Sequence, residues 1–192
     1  MTVPDVPAER PQVLYLFPGL QNINWIPKVD PEPDFFDIIQ PVLQYPGPFL
    51  TSGWTLKSWY VTVTAGAIFS SPVSNIAEGD SILCNMTRLG EEKWFISGIV
   101  NSTGKAASLV ANNPRLEVQP WAYNTLERYG CNGCGTFPTS PVVFKDNKLY
   151  ENGKLLNVPG SSWAINPKPA EKSECKERTT VAQNGDTTIF FQ

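Results

Sequence analysis

Apolar residues recur at every second position along most of this chain, and no stretch carries the 3.6-residue period of an amphipathic helix. VLYLFPGL (13–20) predicts a first strand that ends at Pro18-Gly19. FDIIQPVLQY (36–45) predicts a second, in which Pro41 removes a ladder donor and so suggests an edge position or a bulge. KSWYVTVTAG (57–66) is aromatic and β-branched, with Gly53 and Gly66 bounding it. AEGDSILCNMTRL (77–89) and EKWFISGIV (92–100) read as a hairpin joined by the short turn RLGEE. ASLVA (107–111), QPWAYNTLERY (119–129) and SPVVFKD (140–146) follow. KLYENGKLLNV (148–158) and TTVAQNGDTTIFFQ (179–192) each hold Asn-Gly, the strongest short hairpin signal. NINWIPKVDPEPD (22–34) reads as a long loop, and the polar, proline-rich residues 1–11 as a flexible N-terminal arm. About a dozen short strands with no helix to cover them predict an all-β chain, a two-sheet antiparallel β-sandwich forming one domain over residues 12–192.

Composition narrows the chemistry more than the architecture. With 192 residues, 41% of them hydrophobic, the chain suits one domain with its own core. A formal charge of −3 and the lack of any Lys/Arg cluster argue against nucleic acid or an anionic membrane as partner. No apolar run approaches the roughly 18 residues that cross a bilayer. MTVPDVPAERPQ lacks the charged and apolar regions of a signal peptide, which leaves an intracellular chain or a mature secreted one. There is no histidine. Ser-His-Asp and Cys-His nucleophiles, histidine bases and His-containing zinc sites are therefore excluded. Hydrolysis, if present, must run on carboxylates, amides, hydroxyls or thiols.

The cysteines are Cys84, Cys131, Cys134 and Cys175. Cys131 and Cys134 form a Cys-x-x-Cys, which fits a tight disulfide loop, free thiols or half a zinc knuckle. Cys84 and Cys175 are isolated, so an all-cysteine zinc site lacks its second pair, and no other metal or cofactor is implied. Asn85-Met86-Thr87 and Asn101-Ser102-Thr103 match the N-glycosylation sequon, which carries meaning only in a secreted chain and otherwise arises by chance.

Two strands hold candidate chemistry. Phe36, Ile38, Gln40, Val42 and Gln44 share one face of their strand, so Gln40 interrupts an apolar run. Either that face is wet and the glutamine incidental, or the face is functional. In WAYNTLERY, Trp121, Tyr123, Thr125, Glu127 and Tyr129 share a face, a row of rings around one carboxylate. Desolvation among rings raises a carboxyl pKa and suits general acid/base work, whereas a glutamate on a wet sheet face does nothing.

The order of these motifs resembles the glutamic peptidases, the eqolisins of fungi, over residues 13 to 158. That family places its glutamine in I-L-Q-T-G, matched by Ile38-Ile39-Gln40-Pro41-Val42, and its glutamate in A-E-x-I-x-E-D-F, matched by Ala122 to Tyr129. Trp59-Tyr60, Ala77-Glu78-Gly79-Asp80 and Asn101-Ser102-Thr103-Gly104 follow the family's Trp-Tyr, S-x-G-D and N-L-T-T-G in order. Cys131, Cys134 and Phe137 to Phe144 follow its cysteine loop and F-S-P-A-V-x-F, and Gly19-Leu20-Gln21 stands for its G-I-D turn. The resemblance implies a concanavalin-like jelly roll, a Cys131–Cys134 disulfide, and Gln40 facing Glu127 across one sheet. Glu127 would then activate a water for cleavage of a peptide or protein substrate at acid pH, with the Gln40 amide orienting it. Trp59, Tyr60, Trp121, Tyr123, Tyr129, Gln44 and Gln21 would line the groove. Supporting polar residues differ: Gln21 replaces the family's Asp, Val61 an acidic residue, Tyr123 the first Glu and Arg128 the Asp after the second.

Two other functions fit the same residues. A lectin-like sandwich would use Trp59, Trp121, Tyr123 and Tyr129 to hold a glycan or a peptide without turnover. A glycosidase would need a second carboxylate about 5–10 Å from Glu127, for which Glu117 is the nearest in sequence.

Overall fold

The period-two alternation becomes fourteen strands in the computed structural model, which describes residues 1–24, 35–47, 53–130, 133–165 and 175–191. Antiparallel pairing sets β4 (Gly66–Phe69), β3 (Trp54–Thr62), β2 (Asp37–Tyr45), β1 (Val13–Gln21) and β9 (Trp121–Tyr129) side by side in that order. β5 (Val73–Ile76) also pairs with β3. β6 (Ile82–Gly90), β7 (Lys93–Val100) and β8 (Ala106–Asn112) form a second sheet. β10 (Val142–Phe144), β14 (Thr187–Phe190) and β13 (Arg178–Val181) form a third. β11 (Tyr150–Glu151) and β12 (Lys154–Leu155) make the hairpin expected from Asn152-Gly153, both at positive φ as a type I′ turn requires. β4 and β5 have no counterpart in the sequence reading, being four residues each and largely exposed.

The second sheet packs on the inner face of β2 and β3, which makes the sandwich. Leu14, Leu16, Leu43, Tyr45, Trp54 and Leu56 of the large sheet meet Ile82, Val100 and Ala107 of the small one, and the third sheet adds Val142, Phe144 and Ile189. A Cβ on Gly98 of β7 would lie 2.8 Å from Leu56, so this glycine sets how closely the two sheets approach. At one end of the inner face Asp37 is fully buried. Its carboxylate accepts from the Tyr60 hydroxyl at 2.5 Å and lies 3.1 Å from Arg115 Nε, a charge contact without hydrogen-bond alignment. Arg115 instead donates to the Thr62 and Thr64 hydroxyls at 3.0 Å each. Burial first, and then the bond to Asp37, push the Tyr60 phenol up to about 12.

Pro41 occupies a central strand rather than an edge. The β1–β2 register is the same on both sides of a gap between Leu16↔Leu43 and Leu20↔Ile39, and within that gap Pro18 stands opposite Pro41. Neither proline has an N–H to leave unpaired, so the sheet tolerates the lapse there.

The first residues are docked rather than loose. The Met1 ammonium donates to Ile82 O at 2.9 Å, Thr2 bridges Ser81, and Val3 is buried in the core. Asp5 accepts from the backbone N–H and hydroxyl of both Thr139 and Ser140 at 2.6 to 3.0 Å. The apolar Val3 and the clamped carboxylate give a proline-rich segment partners that its composition does not announce.

The disulfide also differs from expectation. Cys134 bonds Cys175, with Cα atoms 5.3 Å apart, so it is not available to Cys131, which lies outside the described residues. Cys134 precedes β10 and Cys175 precedes β13, and their common sheet brings the two together.

Two predictions follow from these anchors. Burial alone would raise the Asp5 pKa, but the bonds from Ser140 and Thr139 outweigh it and hold it below 3.8. The stabilisation is therefore complete above the ordinary carboxylate range and is lost as pH falls through the depressed value. Asp5→Asn should lower the urea midpoint at neutral pH and leave it unchanged in strong acid. Opening the Cys134–Cys175 bridge, which spans 41 residues, should cost about 4 kcal/mol by loop entropy, read from urea unfolding of Cys175→Ser in parallel with the oxidised chain.

Candidate functional site

The outer face of the large sheet is built by residues whose positions follow from the register. β1 pairs with β9 without interruption, setting Tyr15 beside Glu127 and Gly19 beside Tyr123. The β1–β2 register places Gln44 beside Tyr15 and Gln40 beside Gly19, and β3 adds Trp59 beside Gln40, with Phe69 of β4 beyond it. One row across the sheet therefore reads Phe69, Trp59, Gln40, Gly19, Tyr123. Another, four residues along, reads Thr55, Gln44, Tyr15, Glu127.

Gln40 and Glu127 thus share a face but not a row. Their Cα atoms are separated by two strand spacings, about 10 Å, and by about 13 Å along the strands. The residue in register with Gln40 across β1 is Tyr123. Its ring lies over Gly19, where a Cβ would come within 2.5 Å of the ring carbons. Glycine at 19 is what lets an aromatic lie flat at that point.

Rings tile the interval between the two rows. Tyr15 reaches over β2 to meet Trp59 edge-on at 5.1 Å, Trp59 meets Phe69 at 4.8 Å, and Tyr15 meets Tyr129 at 6.1 Å. Val42, between the rows on the same face, is accordingly fully buried. A cavity of about 400 Å³ remains beside these rings. It is lined by Gln12, Val13, Tyr15, Phe36, Ile38, Gln40, Trp59, Val61, Ala67, Glu127 and Tyr129. Glu127 is the only charged residue among these.

The electrostatics centre on Glu127. The phenols of Tyr15, Tyr129 and Tyr123 are all pushed above their ordinary value, first by burial and then by the Glu127 carboxylate. They stay protonated at neutral and acid pH, so they are available as donors. Gln40 is 5% exposed, and its amide has no side-chain hydrogen bond among the described residues. One buried amide, carrying both a donor and an acceptor, therefore faces the cavity.

Of the residues expected in the groove, Gln40, Trp59, Glu127 and Tyr129 line the cavity. Tyr60 does not. It follows Trp59 on the strand and so points to the opposite face, where it is buried against Asp37. Gln44 and Gln21 share the outer face but are turned to backbone carbonyls, of Pro46 at 3.0 Å and Ile23 at 2.6 Å. Trp121 is exposed at the far end of β9, and Tyr123 covers Gly19 without lining the cavity. Glu117 follows a short 3₁₀ turn (Pro114–Leu116) and is not part of the lining, so among the described residues no second carboxylate joins Glu127 there. Tyr15 was missed. Its alternation with Val13, Phe17 and Gly19 signals a shared face, but only the sheet order shows that this face is the groove.

The fold has known counterparts. No protein-family model and no curated protein matches the sequence. Among solved structures, aspergilloglutamic peptidase from Aspergillus niger superposes with a TM-score of 0.64 at 16% identity, over 96% of this chain and all of that one. Scytalido-glutamic peptidase with a transition state analog inhibitor gives 0.69 at 16% identity, covering all of this chain and 89% of that one. SCP-B, a member of the eqolisin family in complex with the tripeptide Ala-Ile-His, gives 0.65 at 16% identity, over all of this chain and 88% of that one. The chain has the fold of the glutamic peptidases, and the resemblance read from the ordered motifs is met at the level of that fold.

The contact between Gly19 and Tyr123 is directly testable. Gly19→Ala should destabilise the chain by roughly 1–3 kcal/mol through overpacking. Combined with Tyr123→Ala, most of that loss should disappear in a double-mutant cycle followed by urea unfolding. Strictly additive losses would mean that the ring does not lie over residue 19.

Proposed function

We propose that this chain is a peptide-binding protein built on the glutamic-peptidase fold, which holds an extended segment in the outer-face groove without cleaving it. The observation that carries the reading is the register. Tyr123 lies in the row of Gln40, two strands away across β1, and its ring fills the space over Gly19. General-base activation of a water requires base and orienting amide within about 3 Å of the same oxygen. Glu127 stands four residues out of register with Gln40 and the Tyr15 and Trp59 rings meet between the rows, which supports binding over that arrangement. What remains suits binding. The Gln40 amide can donate to and accept from one peptide unit, the rings supply apolar faces, and Glu127 sets the sign of charge the groove prefers. Neighbours of this fold are held with a tripeptide or a transition state analog, which supports a peptide as the ligand class.

Hydrolysis at acid pH by Gln40 and Glu127 is the second reading, and one observation favours it: both residues line the same cavity. A single assay separates the two. Denatured casein is incubated from about pH 2.5 to 7, a range that brackets carboxyl titration, with wild type, Glu127→Gln and Tyr123→Glu, and binding to its peptides is measured by calorimetry. The binding reading expects no cleavage by wild type, peptide affinity that falls on Gln40→Ala, and acid-dependent cleavage appearing in Tyr123→Glu, where a carboxylate enters the Gln40 row. Wild-type cleavage in acid that Glu127→Gln abolishes would replace it with the hydrolytic one. Absence of both cleavage and binding would overturn the two together.

A further inference from the structure

We propose that Asn85 carries an N-linked oligosaccharide that lies over the outer face of the second sheet, and that Asn101 is a companion site. The outer face of the small sheet carries exposed apolar side chains on its two edge strands. Leu83 is 56% exposed and Val110 49%, and Ile99 and Phe95 lie between them on β7. The register arranges this face in rows: Leu83, Ile99, Ala106, then Asn85, Ser97, Ser108, then Thr87, Phe95, Val110. A polar middle row with short side chains therefore runs between two apolar ones, and Asn85 stands at its edge-strand end.

Asn85 opens the sequon Asn85-Met86-Thr87, and the period-two pleat puts Asn85 and Thr87 on the same outward face. The Thr87 hydroxyl donates to Asn85 Oδ1 at 3.1 Å, while Asn85 Nδ2 makes no hydrogen bond among the described residues. The second sequon begins at Asn101, exposed in the β7–β8 turn, with its Nδ2 donating only to the exposed Ser81 hydroxyl at 3.2 Å. Sequons act only where a chain passes through an oxidising secretory route, and the Cys134–Cys175 disulfide belongs to that environment. Two exposed sequons on a disulfide-bonded sandwich turn a chance match into a consistent pair.

In the transfer, Asn85 Nδ2 attacks C1 of a lipid-diphosphate-linked oligosaccharide. The N–C1 bond forms, the C1–O bond to phosphate breaks, the lipid diphosphate leaves and the amide proton passes to the transferase. The first sugars then reach over the Ser97–Ser108 row, and their apolar faces cover Leu83, Ile99, Phe95 and Val110. The glycan would remove from solvent an apolar sheet face that otherwise invites association.

The test is made on the full chain secreted by a eukaryotic host. Peptide-N-glycosidase treatment in heavy-oxygen water should convert Asn85 and Asn101 to labelled aspartates and remove one oligosaccharide mass from each. Thr87→Ala should lose the Asn85 glycan alone, and Thr87→Ser should keep it. Removing the Asn85 glycan should raise hydrophobic-dye binding, whereas removing the Asn101 glycan through Thr103→Ala should not. An unmodified Asn85 in the secreted, disulfide-bonded protein overturns the proposal, whatever the state of Asn101. Unchanged dye binding after its glycan is removed overturns the covering role. Should Thr87→Ala fail to be secreted, enzymatic removal from the folded wild-type chain supplies the same readout.

Discussion

Strand β1 is paired on both edges, and its register fixes what can meet what on the groove face. β2 lies on one side and β9 on the other, so Gln40 and the residues of β9 are related to one another across β1. A side-chain period of two keeps Gln40, Tyr123 and Glu127 on one face, but it does not put all three in one row. Gly19 is the hinge of this arrangement. Any side chain there would push Tyr123 off the sheet and change what Gln40 faces.

Burial explains why this face reads as it does. The inner face is a conventional apolar core, closed at one end by the Asp37, Tyr60 and Arg115 cluster. The outer face is not open either. Tyr15, Trp59, Phe69 and Tyr129 roof β2 from the side, leaving only a modest cavity. On that face a single carboxylate is felt by three phenols at once. The Tyr15 and Trp59 rings meet at 5.1 Å on the face that carries Gln40 and Glu127, and both residues line the cavity beside them.

A shared sandwich at 16% identity establishes architecture and leaves the chemistry to the site. Here the outer face carries Gln40, Gly19 beside it and aromatic walls, with Tyr123 in the same row and Glu127 in the row four residues along. The rest of the chain strengthens the scaffold at places remote from the groove. The N-terminus is clamped through Asp5, and the third sheet is tied by Cys134–Cys175. These anchors hold the sandwich whether or not anything is hydrolysed on its outer face.

Strand identity and facing were legible in the sequence, because alternation at 13–20, 36–45 and 121–129 is a local property of each segment. The all-β class, the Asn152-Gly153 hairpin and the grouping of Gln40 with Ile38 and Phe36 all followed from it. Tyr60 was the exception within reach of sequence alone, since adjacency to Trp59 already puts it on the other face. Strand order, register and docking were not legible, because they depend on which distant segments pair. Pro41 suggested an edge because nothing local reveals Pro18 opposite it. Cys134 pointed to Cys131 because spacing cannot show that β10 and β13 share a sheet. Residues 1–11 read as loose because Val3 and Asp5 find their partners near residues 80 and 140. That Gln40, Tyr123 and Glu127 lie on groove faces follows from alternation within each strand, but only the tertiary register, which counts residues across β1, sets Tyr123 in the row of Gln40 and Glu127 in the row of Tyr15.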